Sequence, residues 1–332
     1  MTGPVPAEWS PHQAMWVAFP SHPELWLEHL QPAREEVAAL VCALAGPGGE
    51  HVNLLTATME AHQAARELLG LSLCSVDVRL ARFGDIWLRD TGPIFTSAST
   101  TEVFRFNGWG GKYHLPGDAQ VARRLSRSAG ARRTPHPFVV EGGALDHDGE
   151  GTALTTRQCL LNANRNQDWD EHIAERVLFG ALGIIQTIWL QDGIANDHTD
   201  GHVDNLARFV SPGVIVCHAP FGRDDPNAEV YDSTAATLSS SRDAAGRRLR
   251  VVRIPSPGRI ADDSGLPAPA SHMNFVIANK VVIMPSYETV ASRFAMEALQ
   301  MVFDERQVIA LPANALLTGG GSFHCISQQQ PA

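Results

Sequence analysis

Close to its C-terminus the chain reads Gly319-Gly320-Gly321-Ser322-Phe323-His324-Cys325. Three consecutive glycines are costly to order, so they mark a backbone that must pass close to something. They deliver a lone cysteine, which reads either as a nucleophile or as a buried thiol ahead of a C-terminal strand. Three other places carry chemistry-bearing residues. Asp90 lies in Trp87-Leu88-Arg89-Asp90-Thr91-Gly92-Pro93, Glu141 precedes Gly142-Gly143, and His202 stands two residues before Asp204. Each also has a plainer reading: a capping aspartate, a solvated loop charge, the wet face of a strand. If the segment around His202 is extended, His202 and Asp204 project to the same face. A thiol attacks poorly until its pKa falls from about 8.5, and a cationic substrate or a protonated His202 would favour the thiolate. Three acidic groups, a histidine and a cysteine in one pocket suit a guanidinium, which is planar and pairs bidentately with carboxylates. Asp90 and Asp204 would grip its nitrogens with Glu141 near the same group. Cys325 would attack the central carbon, and His202 would hand a proton to the leaving nitrogen and then activate water.

These residues are far apart in sequence, so the fold must gather them. Strand and helix patterns recur along the chain. Strands are expected at 51–57, 75–80, 103–106, 138–140, 152–156, 187–190, 214–218, 250–254, 275–278, 281–285 and 308–311. Helices are expected at 32–45, 60–69, 118–128, 169–179 and 287–303, with a helix-compatible polar stretch over 227–248. Residues 9–26, rich in Trp, His and Pro, read as an irregular opening segment. The order gives five rounds of strand, helix, strand, with a period of about 50–60 residues. An ordinary doubly wound α/β sheet would also accommodate it. A ring of five units fits better, because the polar motifs fall at one place in the round, just after the strand that follows the helix. Equivalent ends of repeated units converge on an axis.

Composition narrows the classes. The 332 residues are 44% hydrophobic and 19% charged, with a net charge of -10, as expected of a globular protein with an ample core. The charge argues against nucleic acid as a partner and suits a cationic ligand. The start, from Met1 to Trp9, has neither a basic n-region nor an apolar run, and no stretch approaches the 18 or so apolar residues of a membrane span. The five cysteines, Cys42, Cys74, Cys159, Cys217 and Cys325, are scattered without a CxxC pair. That pattern points to a reducing cytoplasm. Cys42, inside an apolar helical pattern, and Cys217, in a strand, are expected in the core.

The motifs together resemble those of the agmatine deiminase and bacterial-type peptidylarginine deiminase family. The similarity runs from Pro6-Ala7-Glu8-Trp9 through the Asp90 motif, Phe106-Asn107-Gly108-Trp109-Gly110-Gly111-Lys112, Glu141-Gly142-Gly143 and Leu160-Leu161-Asn162-Ala163-Asn164-Arg165-Asn166. It continues through Thr199-Asp200-Gly201-His202-Val203-Asp204-Asn205 to the Cys325 motif. The resemblance implies an α/β fold of five ββαβ units, a five-bladed propeller around a central active site, with residues 1–332 forming one catalytic domain. It implies deimination of a small cationic guanidino substrate, agmatine first, to N-carbamoylputrescine and ammonia. By motif, Cys325 is the nucleophile, His202 the acid/base, and Asp90, Glu141 and Asp204 the substrate-binding or catalytic carboxylates, with Trp87 as a pocket wall. No metal or organic cofactor is implied, and members are often homo-oligomers. The chain departs at His198, where the family's agmatine deiminases carry a glutamate expected to hold the far amine, and at Ser322-Phe323, where Asn-Ile is usual. Arginine, peptidyl-arginine or another guanidine with a non-cationic tail is therefore the alternative substrate. Amidino transfer to an amine is a second enzymatic reading. A zinc protein using His198, His202 and Asp204, and a non-catalytic binding platform, complete the alternatives.

Overall fold

The computed structural model describes residues 3–70 and 74–332. Met1 and Thr2, the first residues of the start read above, lie outside the described residues. The described residues form five small sheets, one of four strands and four of three. The first is built from β1 (His12–Ala18), β2 (Val52–Thr56) and β3 (Val76–Leu80). Its strands run parallel, joined through α1 (Leu30–Ala45) and α2 (Met59–Leu69). Parallel neighbours need such crossovers, because a tight turn cannot reverse the chain twice.

The next four sheets share one plan. A short first strand pairs antiparallel with the second, and a helix then returns the chain to a third strand parallel to the second. The elements are β4 (Ile94–Ser97), β5 (Thr100–Arg105), α3 (Val121–Ser128) and β6 (Arg132–Val139), then β7 (Asp146–His147), β8 (Thr152–Thr156), α4 (Glu171–Leu182) and β9 (Gln186–Leu190). They continue with β10 (Ala207–Ser211), β11 (Val214–Ala219), α5 (Ala228–Ser240) and β12 (Arg250–Pro255), then β13 (Val276–Ile277), β14 (Val281–Ser286), α6 (Val290–Gln300) and β15 (Gln307–Pro312). Finally β16 (Ser327–Pro331) pairs antiparallel with β1, so the chain's end completes the sheet of its beginning. The fold is mixed α/β. Among the described residues no helix is long and apolar enough to cross a membrane.

Local chemistry starts and stops the helices that space these strands. Thr58, Asp170 and Thr289 accept from the amides of Ala61, Ile173 and Ser292 at the starts of α2, α4 and α6, each satisfying an otherwise orphaned N–H. Gly183 closes α4 in the left-handed conformation.

Several expectations need correction. The opening segment holds β1, not an irregular stretch. Met15 to Ala18 are all buried: β1 is an interior strand of its sheet with both faces covered, and such a strand shows no alternation. The strand expected at 138–140 begins at Arg132, despite Pro135 and Pro137, because β6 is a sheet edge where missing donors are tolerated. The polar stretch 227–248 is helical only to Ser240, and the expected helix 287–303 is confined to Val290–Gln300. Cys217 is buried as expected, but Cys42 is exposed on α1.

Candidate active site

Each round's last strand is followed by a turn, and these turns meet. After β3 a one-turn helix, Leu88–Thr91, carries Asp90; after β6 the chain reaches Glu141 and a 3-10 turn at Gly142–Ala144. After β9 the loop arrives at His202 and a 3-10 turn at Val203–Asn205, and after β15 a short helix, Asn314–Thr318, leads to the glycines and Cys325. Gly143 marks the meeting point. Its amide donates to Asp90 Oδ1 at 3.0 Å. A Cβ there would lie 2.6 Å from His202 Nδ1, 2.8 Å from Asp90 Oδ1 and 3.2 Å from Asp204 Oδ2. Only glycine leaves room for all three side chains.

Around that point His202 sits between two carboxylates. Its Nδ1 is 3.7 Å from Asp90 Oδ1, and its Nε2 is 3.4 Å from Glu141 Oε2. Trp109, held at φ 52 where a bulky side chain is strained, donates from Nε1 to Asp90 Oδ2 at 2.9 Å. Arg165 Nε donates to both oxygens of Glu141, at 2.9 and 3.2 Å, while its Nη1 pairs with Asp200. Asp204 Oδ2 accepts from His324 Nδ1 at 2.7 Å. Cys325 Sγ is 3.9 Å from Asp204 Oδ2 and 3.2 Å from Asn274 Nδ2.

A cavity of about 260 Å³ opens onto Cys325 and Asp90, with walls from Trp26, Trp87, Trp109, Tyr113 and His198. The indoles explain the glycine run. A Cβ on Gly319 would come within 2.8 Å of both Trp26 and Trp87, and one on Gly321 within 2.5 Å of Trp87. Both indole N–H groups donate to the Asp85 carboxylate, at 3.2 and 2.8 Å. His198 stacks on Tyr113 and hydrogen-bonds its hydroxyl at 2.8 Å. Near it, Asp200 is paired with Lys112 and Arg165.

Burial and charge set the protonation states. Burial pushes the Cys325 thiol well above its ordinary pKa, and the Asp204 and Asp90 carboxylates push it further. Burial alone would lower the His202 pKa, but Asp90, Cys159 and Glu141 lift it well above the usual imidazole range. Burial raises the Asp90 carboxyl; His202 opposes this and Glu141 and Asp204 reinforce it. Burial would raise Glu141 too, yet His202 and Arg165 hold it below the usual range, and His324 does the same for the buried Asp204. These directions favour the neutral thiol of Cys325, the protonated imidazole of His202 and the ionised carboxylates of Glu141 and Asp204, and a positive charge beside the sulfur would favour its thiolate.

The trio of the zinc alternative does not come together: His198 turns to Tyr113, while Asp204 turns to His324. Among the described residues the one group of metal-ligating side chains within reach of one another is Glu141, Cys159 and His202, with ligand atoms inside 4.8 Å. The Arg165 guanidinium already occupies its carboxylate.

The family described as Porphyromonas-type peptidyl-arginine deiminase matches residues 4–331. The chain belongs to that family. It is similar to a protein named agmatine deiminase from Ectopseudomonas mendocina (strain ymp), at 36% identity over 99% of this chain and 95% of that one. A second, also named agmatine deiminase, from Pseudomonas aeruginosa (strain LESB58), is 36% identical over the same shares. Among solved structures, an agmatine deiminase of Enterococcus faecalis superposes with a TM-score of 0.92 at 28% identity, covering 99% of this chain and 96% of that chain.

Within this member of the family, Asp90, Glu141, His202, Asp204 and Cys325 come together, and Trp87 and His198 line the cavity beside them. One geometric expectation fails. The His202 segment is not extended: the 3-10 turn at Val203–Asn205 sends His202 toward Glu141 and Asp204 toward His324. Sequence reasoning missed four polar neighbours, Cys159, Arg165, Asn274 and His324. Arg165 and His324 sit inside motifs already singled out, and Asn274 follows the last strand of the fourth round.

Proposed function

We propose that this protein hydrolyses the guanidinium of agmatine to N-carbamoylputrescine and ammonia through a thiouronium on Cys325. The observation that carries this reading is the convergence of Asp90, His202 and Asp204 on Gly143 beside a cavity that ends at Cys325 Sγ. A guanidinium bound between Asp90 and Asp204 supplies that positive charge next to the sulfur and draws its pKa down. The thiol proton leaves to solvent as the guanidinium binds, with Asp204 kept as the carboxylate that holds the cation beside the sulfur. The thiolate bonds to the central carbon, His202 protonates one amino nitrogen, and the C–N bond breaks to release ammonia. Neutral His202 then takes a proton from water as its oxygen attacks the thiouronium carbon. The C–S bond breaks as the hydroxyl proton passes to the sulfur, which restores the thiol, and the released ammonia takes up in solvent the proton lost when the thiolate formed. Glu141, anchored by Arg165, keeps the imidazole oriented. The step needs a reduced thiol, in keeping with the cytoplasmic setting inferred from the cysteine pattern.

The cavity has room for a tetramethylene chain against Trp26, Trp87, Trp109 and Tyr113, whose faces also attract an ammonium. A second reading is favoured by one feature. Of the nearby acids, Asp200 is already paired with Lys112 and Arg165, and the wall residue is His198. A guanidine with a neutral or anionic tail, arginine or peptidyl-arginine, suits that end. We further propose that the five sheets are the blades of a five-bladed α/β propeller and that residues 1–332 act as one catalytic domain. Support comes from the equivalent position of every site turn in its round and from β16 closing onto β1.

Ammonia release from agmatine, free arginine, peptidyl-arginine and methylated arginines, with mass spectrometry of Cys325 during turnover, tests the assignment. Ureido product from agmatine and a sulfur-bound adduct are expected. Turnover of none of the panel, or turnover undiminished in Cys325→Ala, removes it.

A further inference from the structure

Four rounds of the fold contribute an acid, histidine or cysteine to the site; the fourth round had no such residue in its motif. Its last strand, β12, leads into a loop that buries Asn274 at the same centre. The carboxamide there is fully committed. Oδ1 accepts from the backbone amides of His324 and Cys325, at 3.0 and 3.2 Å. Nδ2 donates to Asn205 Oδ1 at 3.0 Å and faces Cys325 Sγ at 3.2 Å. Its direction is fixed from outside. Asn205 donates from its own Nδ2 to the Asp197 carboxylate, which only accepts, so Asn205 must present its oxygen to Asn274. The remaining N–H of Asn274 therefore points at the sulfur and cannot be turned away.

We propose that Asn274 is a catalytic residue of this enzyme, holding Cys325 Sγ in line for attack and stabilising it as the thiolate. The inference rests on Cys325 being the nucleophile. Such a donor matters because the two charged groups acting on the sulfur, the Asp204 and Asp90 carboxylates, both oppose its ionisation, and besides Asn274 only the backbone at Ser322 favours it. An uncharged amide stabilises the thiolate without competing for the guanidinium, which a lysine in the same place would repel. The same residue fixes the backbone of the nucleophile's own turn, so position and ionisation of the sulfur are set by one side chain.

Asn274→Asp is the discriminating variant, since it keeps an oxygen for the two backbone amides and replaces the donor to sulfur. The full-length protein is alkylated with iodoacetamide across pH, Cys325 modification is followed by peptide mass spectrometry, and kcat and KM for agmatine are measured alongside. We expect the alkylation midpoint at Cys325 to rise by at least about one pH unit. We expect kcat near neutral pH to fall about a hundredfold with KM changed far less, and the thermal midpoint to stay close to wild type. Asn274→Ala should show a smaller rise of the midpoint, about half a pH unit, which lowers the alkylation rate at fixed pH about threefold. If that variant does not fold, Asn274→Asp decides alone. An unshifted alkylation midpoint in Asn274→Asp overturns the proposal, whether or not turnover is lost, because a purely structural role would lower activity without moving it. Full turnover by Cys325→Ala would instead overturn the nucleophile reading and this inference with it.

Discussion

His202 and His324 are both buried, and each lies between two carboxylates, yet they are held very differently. His324 is clamped: Nδ1 meets Asp204 at 2.7 Å and Nε2 meets Glu8 at 3.0 Å, while Glu8 is itself anchored by Arg208 and by the amide of Ile277. His202 is slack. Its contacts to Glu141 and Asp90 are 3.4 and 3.7 Å, and its Nδ1 has no hydrogen-bond partner. A proton carrier has to exchange protons with substrate and water, so it cannot be saturated by its surroundings. A strut has to be saturated, because an unpaired buried charge is expensive. Each histidine also lies beside a cysteine. Cys159 contacts Glu141 behind His202, whereas Cys325 lines the cavity.

The cysteines offer the largest contrast. Cys325→Ala should reduce turnover of agmatine by about 10⁴-fold or more, as expected when the nucleophile of a coupled set is removed. Cys159→Ala should stay within about tenfold of wild type, because the thiol supplies only a weak hydrogen bond to Glu141. Equal losses in ammonia-release assays would erase the distinction between the two thiols. Among the histidines, His202→Asn should lower kcat by about 10³-fold, within the usual range for a general acid–base, and should cost less stability than His324→Asn because its carboxylate contacts are longer. His324→Asn should act on the fold instead. It leaves Asp204 and Glu8 facing a lost partner, at a cost of about 3–5 kcal/mol in denaturant unfolding. A stable His324 variant beside an unstable His202 variant would invert the assignment of carrier and strut.

The sequence announced His202 and passed over His324, although both stand in quoted motifs. The reason is physical. Residue types state what chemistry is available, but the slack or tightness of a contact exists only in three dimensions. The middle strands β2, β8, β11 and β14 were legible as apolar runs. The first strands β4, β7 and β10 were not, because two to five residues carry too little pattern. β1 was hidden by burial on both faces, and β6 by prolines that an edge position tolerates. The five side chains that meet at Gly143 and Cys325 were legible because acids, His and Cys stand out in loops. Asn274 does not titrate, so it gave no signal, even though the repeat logic pointed to its place in the fourth round.

Two other buried histidines sharpen the contrast by sign. Neither His147 nor His272 is hydrogen-bonded to a carboxylate, and burial lowers both to about 4, at His147 against an upward pull from Glu8. Their unfolded forms bind protons near 6.5, so between 6.5 and 4 the unfolded chain takes up more protons. The stability they contribute is whole above 6.5 and is lost as pH falls toward 4, about 3 kcal/mol for each in the acid limit. His202, raised by its carboxylates, runs the other way: its contribution is whole below 6.5 and fades as pH rises through its elevated value. Urea unfolding of wild type and His272→Gln should therefore differ by about 2 kcal/mol less at pH 5 than at pH 7. A constant difference would mean that His272 is charged when buried.

The smallest effect lies at the far end of the cavity, where His198 is exposed and bonded to Tyr113. It contrasts with the buried pair because solvent screens it, so a charge change there should shift preference and leave chemistry alone. His198→Glu puts a carboxylate where an ammonium tail would arrive, and an exposed ion pair is worth at most about 1 kcal/mol. The ratio of kcat/KM for agmatine over free arginine should rise about fivefold, with kcat for agmatine little altered. If both substrates respond equally, the tail does not reach His198, and the aromatic wall of Trp26, Trp87 and Trp109 must bind it instead. If kcat itself collapses, the His198 loop is coupled to Arg165 and Glu141 through Asp200, and this end belongs with the strut that orients His202.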